Sequence, residues 1–192
     1  AGQAIFAYGY DGSNNVSMSN LVTNAGVIGT DVSGVGTGRS GLGGAKYGTD
    51  KVIIGYGYTS SASSLTNLVT NVGVVGSDVT GVGTARYYIG ATEYGTDKAI
   101  FAYGTTGSVT AISNLVSNSG VVASDVSGVG TARGGNPATG YGGDTAIFAY
   151  GLTSGDVSMS NKVSNTGVVA ADVSGVGTAR RNLAAAGFSL SA

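Results

Sequence analysis

The sequence predicts an all-β protein built from four tandem copies of one glycine-rich repeat, and three observations carry that prediction. A nine-residue motif, DVSGVGTGR ending at Arg39, recurs with small changes at intervals of 47 residues. Glycine supplies 36 of the 192 residues, and it costs a helix about 1 kcal/mol per residue relative to alanine. No segment shows sustained 3.6-residue periodicity. Self-similarity at a fixed interval indicates a repeat architecture, so we expect little or no helix.

Each copy contains about four short strand-like pieces. The first is a short apolar run such as AIFAYG at 4–9, typical of a buried strand. The second, such as SMSNLVTN, roughly alternates polar and apolar residues. The third contains a Val-Ile or Val-Val pair, and the fourth runs through small residues after the arginine, as in GLGGAKYG.

Four strands in 47 residues is the proportion of a propeller blade. We therefore predict a four-bladed β-propeller of 47-residue repeats in a single domain, residues 1–192. The repeats are expected at about 4–51, 52–98, 99–145 and 146–192.

The ends of the sequence are in phase with the repeat. It opens at AIFAYG, and its last residues match the piece that precedes AIFAYG in the other copies. We expect the N- and C-terminal strands to close one blade, with residues near 183–190 pairing antiparallel with residues near 3–9. The pairing would lie within one chain or, in an exchanged assembly, between neighbouring chains. It would remove two exposed sheet edges.

One position of the second piece fixes the expected register. We expect this position to be at least partly exposed, because one copy carries lysine there. The position is held by Leu21, Leu68, Leu115 and Lys162. The valine that follows is expected to be buried: Val22, Val69, Val116 and Val163.

Every copy carries an Asp and an Arg eight residues apart. Our interpretation is that each Arg makes charge-assisted hydrogen bonds to an Asp or to backbone carbonyls and locks one blade to the next. A ring of ligand sites around a central channel is the alternative. A pair present in every copy favours the structural interpretation, because a catalytic site needs to occur only once. The inter-blade residues are Asp31, Arg39, Asp78, Arg86, Asp125, Arg133, Asp172 and Arg180.

Residues that break the repeat are the better indicators of ligand contact. Aromatic side chains beside polar groups on loops are what a glycan or protein contact uses. The candidates are Tyr10, Asp11, Tyr58, Tyr87, Tyr88, Glu93 and Asp156, with Arg181 beside them.

Other motifs have structural interpretations that we favour over functional ones. The GVG of each repeat is read as turn glycines rather than a phosphate loop, because no helix follows. The repeated asparagines, such as Asn20 and Asn24, are read as turn caps rather than calcium or sugar ligands. Asn15-Val16-Ser17 is a glycosylation sequon, meaningful only on a glycosylating secretory route.

Composition excludes several classes of function. Charged residues make up 10% and the net charge is -1, so the basic footprint of a nucleic-acid binder is missing. The sequence contains no run of 18 apolar residues, so it predicts no membrane-spanning segment. Cysteine and histidine are both absent from the sequence, which removes the thiol nucleophile, the usual zinc ligands and the commonest general base. We expect no catalytic residue, cofactor or metal, with a carboxylate glycosidase using Asp11, Glu93 or Asp156 as the alternative.

The segment TARYYIGATEYGTDKAIFAYG, residues 84–104, resembles a kelch-type propeller repeat. The phrases GVVxxDVxGVGTAR and KAIFAYG are also similar to repeats in structural proteins predicted for marine tailed phages. The first resemblance implies a β-propeller, and the second implies a virion or surface role.

Together these observations predict a non-enzymatic structural or adhesive module on a virion or in the extracellular space. Its expected partners are surface glycans or other structural proteins, including further copies of itself. Repeated blades offer equivalent weak sites that act together. The alternative is a subunit of an extracellular fibre or lattice without a ligand.

Overall fold

The structure, a computed structural model, describes residues 3–188, and that part of the chain contains no helix. The all-β class predicted from the sequence is confirmed. The strands form four small antiparallel sheets, numbered 1 to 4 in chain order. Sheet 1 comprises β1 (Ala4–Tyr10) and β2 (Asn15–Val22); sheet 2 comprises β3 (Gly43–Tyr47), β4 (Lys51–Gly55) and β5 (Thr66–Val69); sheet 3 comprises β6 (Gly90–Tyr94), β7 (Lys98–Ala102) and β8 (Ser113–Val116); sheet 4 comprises β9 (Ala138–Tyr141), β10 (Thr145–Leu152) and β11 (Asp156–Val163). Accordingly, none of these residues forms a helix long and apolar enough to span a membrane.

The third piece of each copy does not form a strand, which corrects the expectation of four strands per copy. It makes only isolated antiparallel bridges to its own sheet, such as that between Val69 and Val75. Left-handed glycines interrupt it, for example Gly73 (φ 82°) and Gly83 (φ 74°), so the ladder does not extend. The third piece is therefore an irregular outer loop held against its sheet.

The sheets stack in chain order, and the apolar core lies between consecutive sheets. Strand β3 packs on β6, and β6 packs on β9. Phe101 and Val116 of sheet 3 are fully buried. The Phe101 ring meets that of Tyr56 from sheet 2 edge-on, with 5.0 Å between ring centroids. Phe148 of sheet 4 repeats this contact with Tyr103 of sheet 3 at 5.5 Å.

The predicted pairing of residues near 183–190 with residues near 3–9 is not found within the described part of the chain. Strand β1 pairs with β2 alone, and residues 183–188 form no strand. Residues 189 and 190 lie outside the described residues. Gly187 lies beside the carbonyl of Gly140 in β9, because this segment continues the stack past sheet 4. No extensive packing joins sheet 1 to sheet 4 over residues 3–188.

The predicted register of the second piece is confirmed. The position that carries lysine in one copy is at least partly exposed in all four: Leu21, Leu68, Leu115 and Lys162. The next valine is buried in three copies: Val69, Val116 and Val163. Val22 is only half-buried. The valines of later copies are covered by the preceding sheet, and sheet 1 has none before it.

Replacing Val116 with alanine should lower the free energy of unfolding by about 2 kcal/mol, because a fully buried side chain loses its packing. The matched change Val22→Ala should lower it by less than about 1 kcal/mol, since that side chain is half-exposed already. Urea unfolding of both variants measures the difference. Equal losses would show that the preceding sheet does not protect this position.

Candidate functional site

Buried arginines connect consecutive sheets, and Arg39 shows the arrangement. Its side chain is completely buried, with the guanidinium 4.7 Å above the ring of Tyr8 in its own copy. Nη1 also donates to the Thr37 carbonyl of the same copy at 2.9 Å, and the other contacts reach into the next copy. Nε donates to the Tyr56 carbonyl at 3.0 Å, Nη2 to Asn67 Oδ1 at 2.6 Å, and Nη1 to Asp78 Oδ1 at 3.4 Å. We call this set joint 1.

The acidic half of joint 1 is held by further hydrogen bonds. The backbone N–H and the hydroxyl of Thr37 donate to Asp78 Oδ2 at 2.9 and 2.7 Å. Asn67 donates to Asp78 Oδ1 at 2.9 Å and to the Gly76 carbonyl at 3.0 Å. Asn67 therefore caps its own loop, as expected of the repeated asparagines, and also accepts from the arginine of the previous copy.

Joint 2 repeats this geometry one copy later. Arg86 is completely buried above the Tyr56 ring at 4.5 Å. It donates to the Tyr103 carbonyl at 2.9 Å and to Asn114 at 2.6 Å, and lies 3.8 Å from Asp125.

Joint 3 is less complete. Arg133 lies 4.0 Å above the Tyr103 ring, but it donates to the Phe148 carbonyl at 3.4 Å. Within residues 3–188, Arg133 Nε and Asn161 Oδ1 have no hydrogen-bond partner. Thr131 still donates to Asp172, with its hydroxyl at 2.6 Å.

The joints correct one implication of the sequence spacing. The Asp and Arg eight residues apart in one copy are not partners; Arg39 meets Asp78, 39 residues later. The two end members differ from the rest. Asp31 accepts from Asn20 at 2.8 Å and is exposed. Arg180 lies 4.1 Å above the Tyr150 ring and is also exposed.

Burial shifts the ionisation of the groups in the joints. It raises the pKa of Tyr56 to about 12, although the nearby Arg86 opposes the rise. Burial alone would raise the pKa of Asp78, but hydrogen bonds from Thr37 and Asn67 outweigh it and the pKa lies below its ordinary value. Asp125 and Asp172 behave in the same way. These carboxylates stabilise the fold above pH about 4, and that contribution is lost as the pH falls below this value.

Three of the predicted ligand-contact residues form one aromatic cluster. The ring centroids of Tyr58 and Tyr87 are 5.0 Å apart, and those of Tyr87 and Tyr88 are 5.1 Å apart. Tyr58 and Tyr88 are 38% and 55% exposed, so the cluster lies at the surface.

Tyr87 and Tyr88 line an open cavity of about 640 Å³ together with Leu152, Arg181 and Asn182. We call this cavity the tyrosine groove. The backbone of Tyr88 is fixed on both sides, since its N–H donates to the Gly41 carbonyl at 2.8 Å and its carbonyl accepts from Gly135 at 2.9 Å.

Asp156 lies at the margin of the tyrosine groove through its ion pair with Arg181 at 3.2 Å. The other candidates lie elsewhere. Asp11 accepts from the backbone of Ser13 and Asn14 in the β1–β2 turn. Glu93 is in β6 and pairs weakly with Lys46 at 3.9 Å. Tyr10, at the end of β1, is 62% exposed.

Sequence reasoning missed two parts of this arrangement. It did not identify Thr37 and its equivalents as partners of the next copy's aspartate, although the threonine of GVGT recurs in every copy. It also did not identify Arg181 with Asn182 as neighbours of Tyr87 and Tyr88. Positions 41, 88, 135 and 182 are each 47 residues apart, and this interval was the available signal.

The chain matches no protein-family model and no protein in a search of curated proteins. Among solved structures it is similar to the structure of YjhT, with 12% sequence identity and a TM-score of 0.57. The match covers 77% of this chain and 48% of the YjhT chain, so it spans about half the length of that structure. At this identity the likeness concerns the fold alone.

Replacing Arg86 with glutamine should lower the free energy of unfolding by about 3 kcal/mol, because the buried Asn114 and the Tyr103 carbonyl lose a charged donor. Arg180→Gln is the matched control, and we expect a loss below about 1 kcal/mol at that exposed position. Thermal and denaturant unfolding measure both. Similar losses in the two variants would contradict the role of the joints.

Alkaline pH should destabilise the fold through Tyr56. Its folded pKa lies above the ordinary value of 10.0, so unfolded molecules ionise first. The contribution of Tyr56 to the free energy of unfolding is complete below pH about 10 and is lost as the pH rises towards 12. Tyr56→Phe should make this loss shallower, although it also removes the hydrogen bond from the hydroxyl to the Val82 carbonyl. Unfolding curves across this range test it, and an identical pH dependence in both proteins would oppose it.

Proposed function

We propose that this chain is a non-enzymatic structural or adhesive surface module that binds a glycan in its tyrosine groove. The observation that carries the proposal is an aromatic cluster at an open cavity: Tyr87 and Tyr88 line the cavity, and Tyr58 packs against Tyr87 beside it. Exposed aromatic rings provide flat apolar area with a polar hydroxyl, which suits the faces and rims of sugar rings. Tyrosine also loses little conformational entropy on binding, because it has two side-chain torsions.

Polar groups near the rings supply the directional contacts that orient such a ligand. The Arg181 guanidinium is half-exposed and shared with Asp156, so donors and acceptors lie together at one margin of the tyrosine groove. Asn182 adds an amide that donates and accepts. A few polar groups beside apolar walls are typical of small-molecule sites.

We further propose that the four sheets are four blades of a kelch-like β-propeller arrangement. The supporting observations are small antiparallel sheets of two or three strands that stack in chain order, and joints at a constant sequence interval. The likeness to the structure of YjhT, with a TM-score of 0.57, concerns the fold and is consistent with this arrangement.

The absence of an enzymatic role is part of the proposal. The three irregular carboxylates have separate local partners: the β1–β2 turn for Asp11, Lys46 for Glu93 and Arg181 for Asp156. A glycosidase instead needs two carboxyl groups facing one bond. The proposed location is a virion or the extracellular space, supported by the low charge content and by the phage resemblance of the repeats.

Binding to a glycan array, followed by titration of the best-bound glycan, tests the tyrosine groove. Tyr88→Ala should weaken binding about tenfold or more, because a central aromatic anchor is lost. Tyr10→Ala is the matched control, since Tyr10 is similarly exposed but lies on β1 outside the groove. Equal weakening by both changes would contradict the proposed site. No binding to any glycan would favour a fibre or lattice subunit without a ligand.

A further inference from the structure

The last copy presents half of a joint. Arg180 is held over the Tyr150 ring at 4.1 Å, and its Nη1 donates to the Thr178 carbonyl at 2.9 Å. Arg39 and Arg86 make the same two contacts, with their own tyrosine and threonine. The preceding Gly177 has φ 75°, the same as Gly36 in joint 1. A side-chain carbon at Gly36 would overlap Asp78, whereas one at Gly177 would be 3.7 Å from the Tyr150 hydroxyl. The loop is therefore shaped for a carboxylate that residues 3–188 do not supply.

The first copy presents the complementary half. Asn20 donates to Asp31 at 2.8 Å and to the Gly29 carbonyl at 3.2 Å. The equivalent bonds of Asn67, to Asp78 and Gly76, are 2.9 and 3.0 Å long. The amide and carboxylate are thus already in the arrangement that receives an arginine.

Aromatic residues at these two ends are exposed where their equivalents are buried. Phe6 is 61% exposed, whereas its equivalents Phe101 and Phe148 are fully buried against the preceding sheet. Tyr141 is 43% exposed, and its equivalent Tyr94 is 3% exposed beside the loop of the following sheet at Gly167. Each end thus exposes apolar surface that an adjoining copy covers inside the stack.

A backbone ladder also leads to one end. Tyr88 donates to the Gly41 carbonyl at 2.8 Å, Gly135 to that of Tyr88 at 2.9 Å, and Asn182 to that of Gly135 at 2.9 Å. If the same hydrogen bond were made once more, the N–H of Gly41 in a second molecule of this protein would donate to the Asn182 carbonyl.

A slot for an additional strand lies beside β1. A cavity of about 430 Å³ is lined by Ala4, Ile5 and Ala7 of β1 and by residues 43–46 of β3. In sheets 2 and 3 this place, next to the central strand, is filled by β3 or β6. Residues 184–187 are Ala-Ala-Ala-Gly, as small as the first three residues of β3, Gly43–Ala45, and they are exposed.

We infer that a second copy of this chain docks head to tail on the first, with Arg180 of one copy entering the Asn20–Asp31 pair of the next. The same contact covers Phe6 with sheet 4 and brings residues 184–188 into the slot beside β1. The charges are complementary, and the geometry is the one that joints 1 and 2 already realise. This inference does not depend on glycan binding.

An interface between two different surfaces of the same chain propagates. It gives a closed ring if the rotation per copy closes, and a filament if it does not. In both cases one sheet at every junction is completed by strands from two chains.

Light scattering after size exclusion, over a range of concentrations, tests the inference. The mass of the unaltered protein should rise with concentration in multiples of 18.6 kDa. Arg180→Gln and Asp31→Asn should each raise the concentration for half-assembly by about tenfold or more, because each removes a charged hydrogen-bonding group. Lys98→Gln, at a half-exposed cation of sheet 3, is the matched control and should assemble as the unaltered protein does.

A mixture of the two interface variants makes the test directional. Arg180→Gln keeps the Asp31 end and Asp31→Asn keeps the Arg180 end, so the mixture should form pairs and stop there. Both positions are exposed, and cooperative melting within a few degrees of the unaltered protein, at a concentration where that protein is monomeric, will show that the variants fold. An unaltered protein that stays monomeric at all concentrations overturns the inference. Variants that assemble like the unaltered protein, or a mixture that forms no pairs, overturn it equally.

Discussion

A guanidinium group buried between two sheets is the constraint on which this architecture depends. Removing such a charge from water costs several kcal/mol unless its donors are satisfied. The copy that carries Arg39 supplies an aromatic face and the Thr37 carbonyl. The next copy supplies the Tyr56 carbonyl, Asn67 and Asp78. None of Arg39, Arg86 and Arg133 is satisfied within its own copy, so the stability of each sheet depends on its neighbour, as in other tandem-repeat proteins.

The joints also explain an unfavourable backbone conformation. Tyr8, Tyr56, Tyr103 and Tyr150 all have φ between 60° and 64°, a left-handed conformation that costs a residue other than glycine about 1–2 kcal/mol. At Tyr56 this conformation accompanies a carbonyl that accepts from Arg39 and a ring that lies beneath Arg86. One residue thus serves two successive joints, and a glycine there would lose the ring. The contacts at both faces offset the strain.

The sequence predicted the strands better than the contacts between copies. Short apolar runs and the position of Lys162 gave the strands and their register, because periodicity reports which side of a strand faces solvent. The carboxylate partner of Arg39 could not be inferred from the sequence spacing. Asp31 is near in sequence, whereas Asp78 is near in space only because the copies stack. The irregular third piece was also missed, since its valine pairs resemble a strand while glycines such as Gly73 interrupt the ladder.

The same stacking explains where a ligand site can arise. Positions that recur in every copy are occupied by joint and core residues, and a change there would disturb two sheets at once. The segment after each arginine crosses from one copy to the next, and its residues are less constrained. Because copies stack in order, residues 47 positions apart become neighbours, as the hydrogen bonds from Tyr88 to Gly41 and from Gly135 to Tyr88 show. Different side chains at equivalent positions of successive copies, such as Tyr88 and Asn182, therefore meet along one surface. Together they can form a site that no single copy contains.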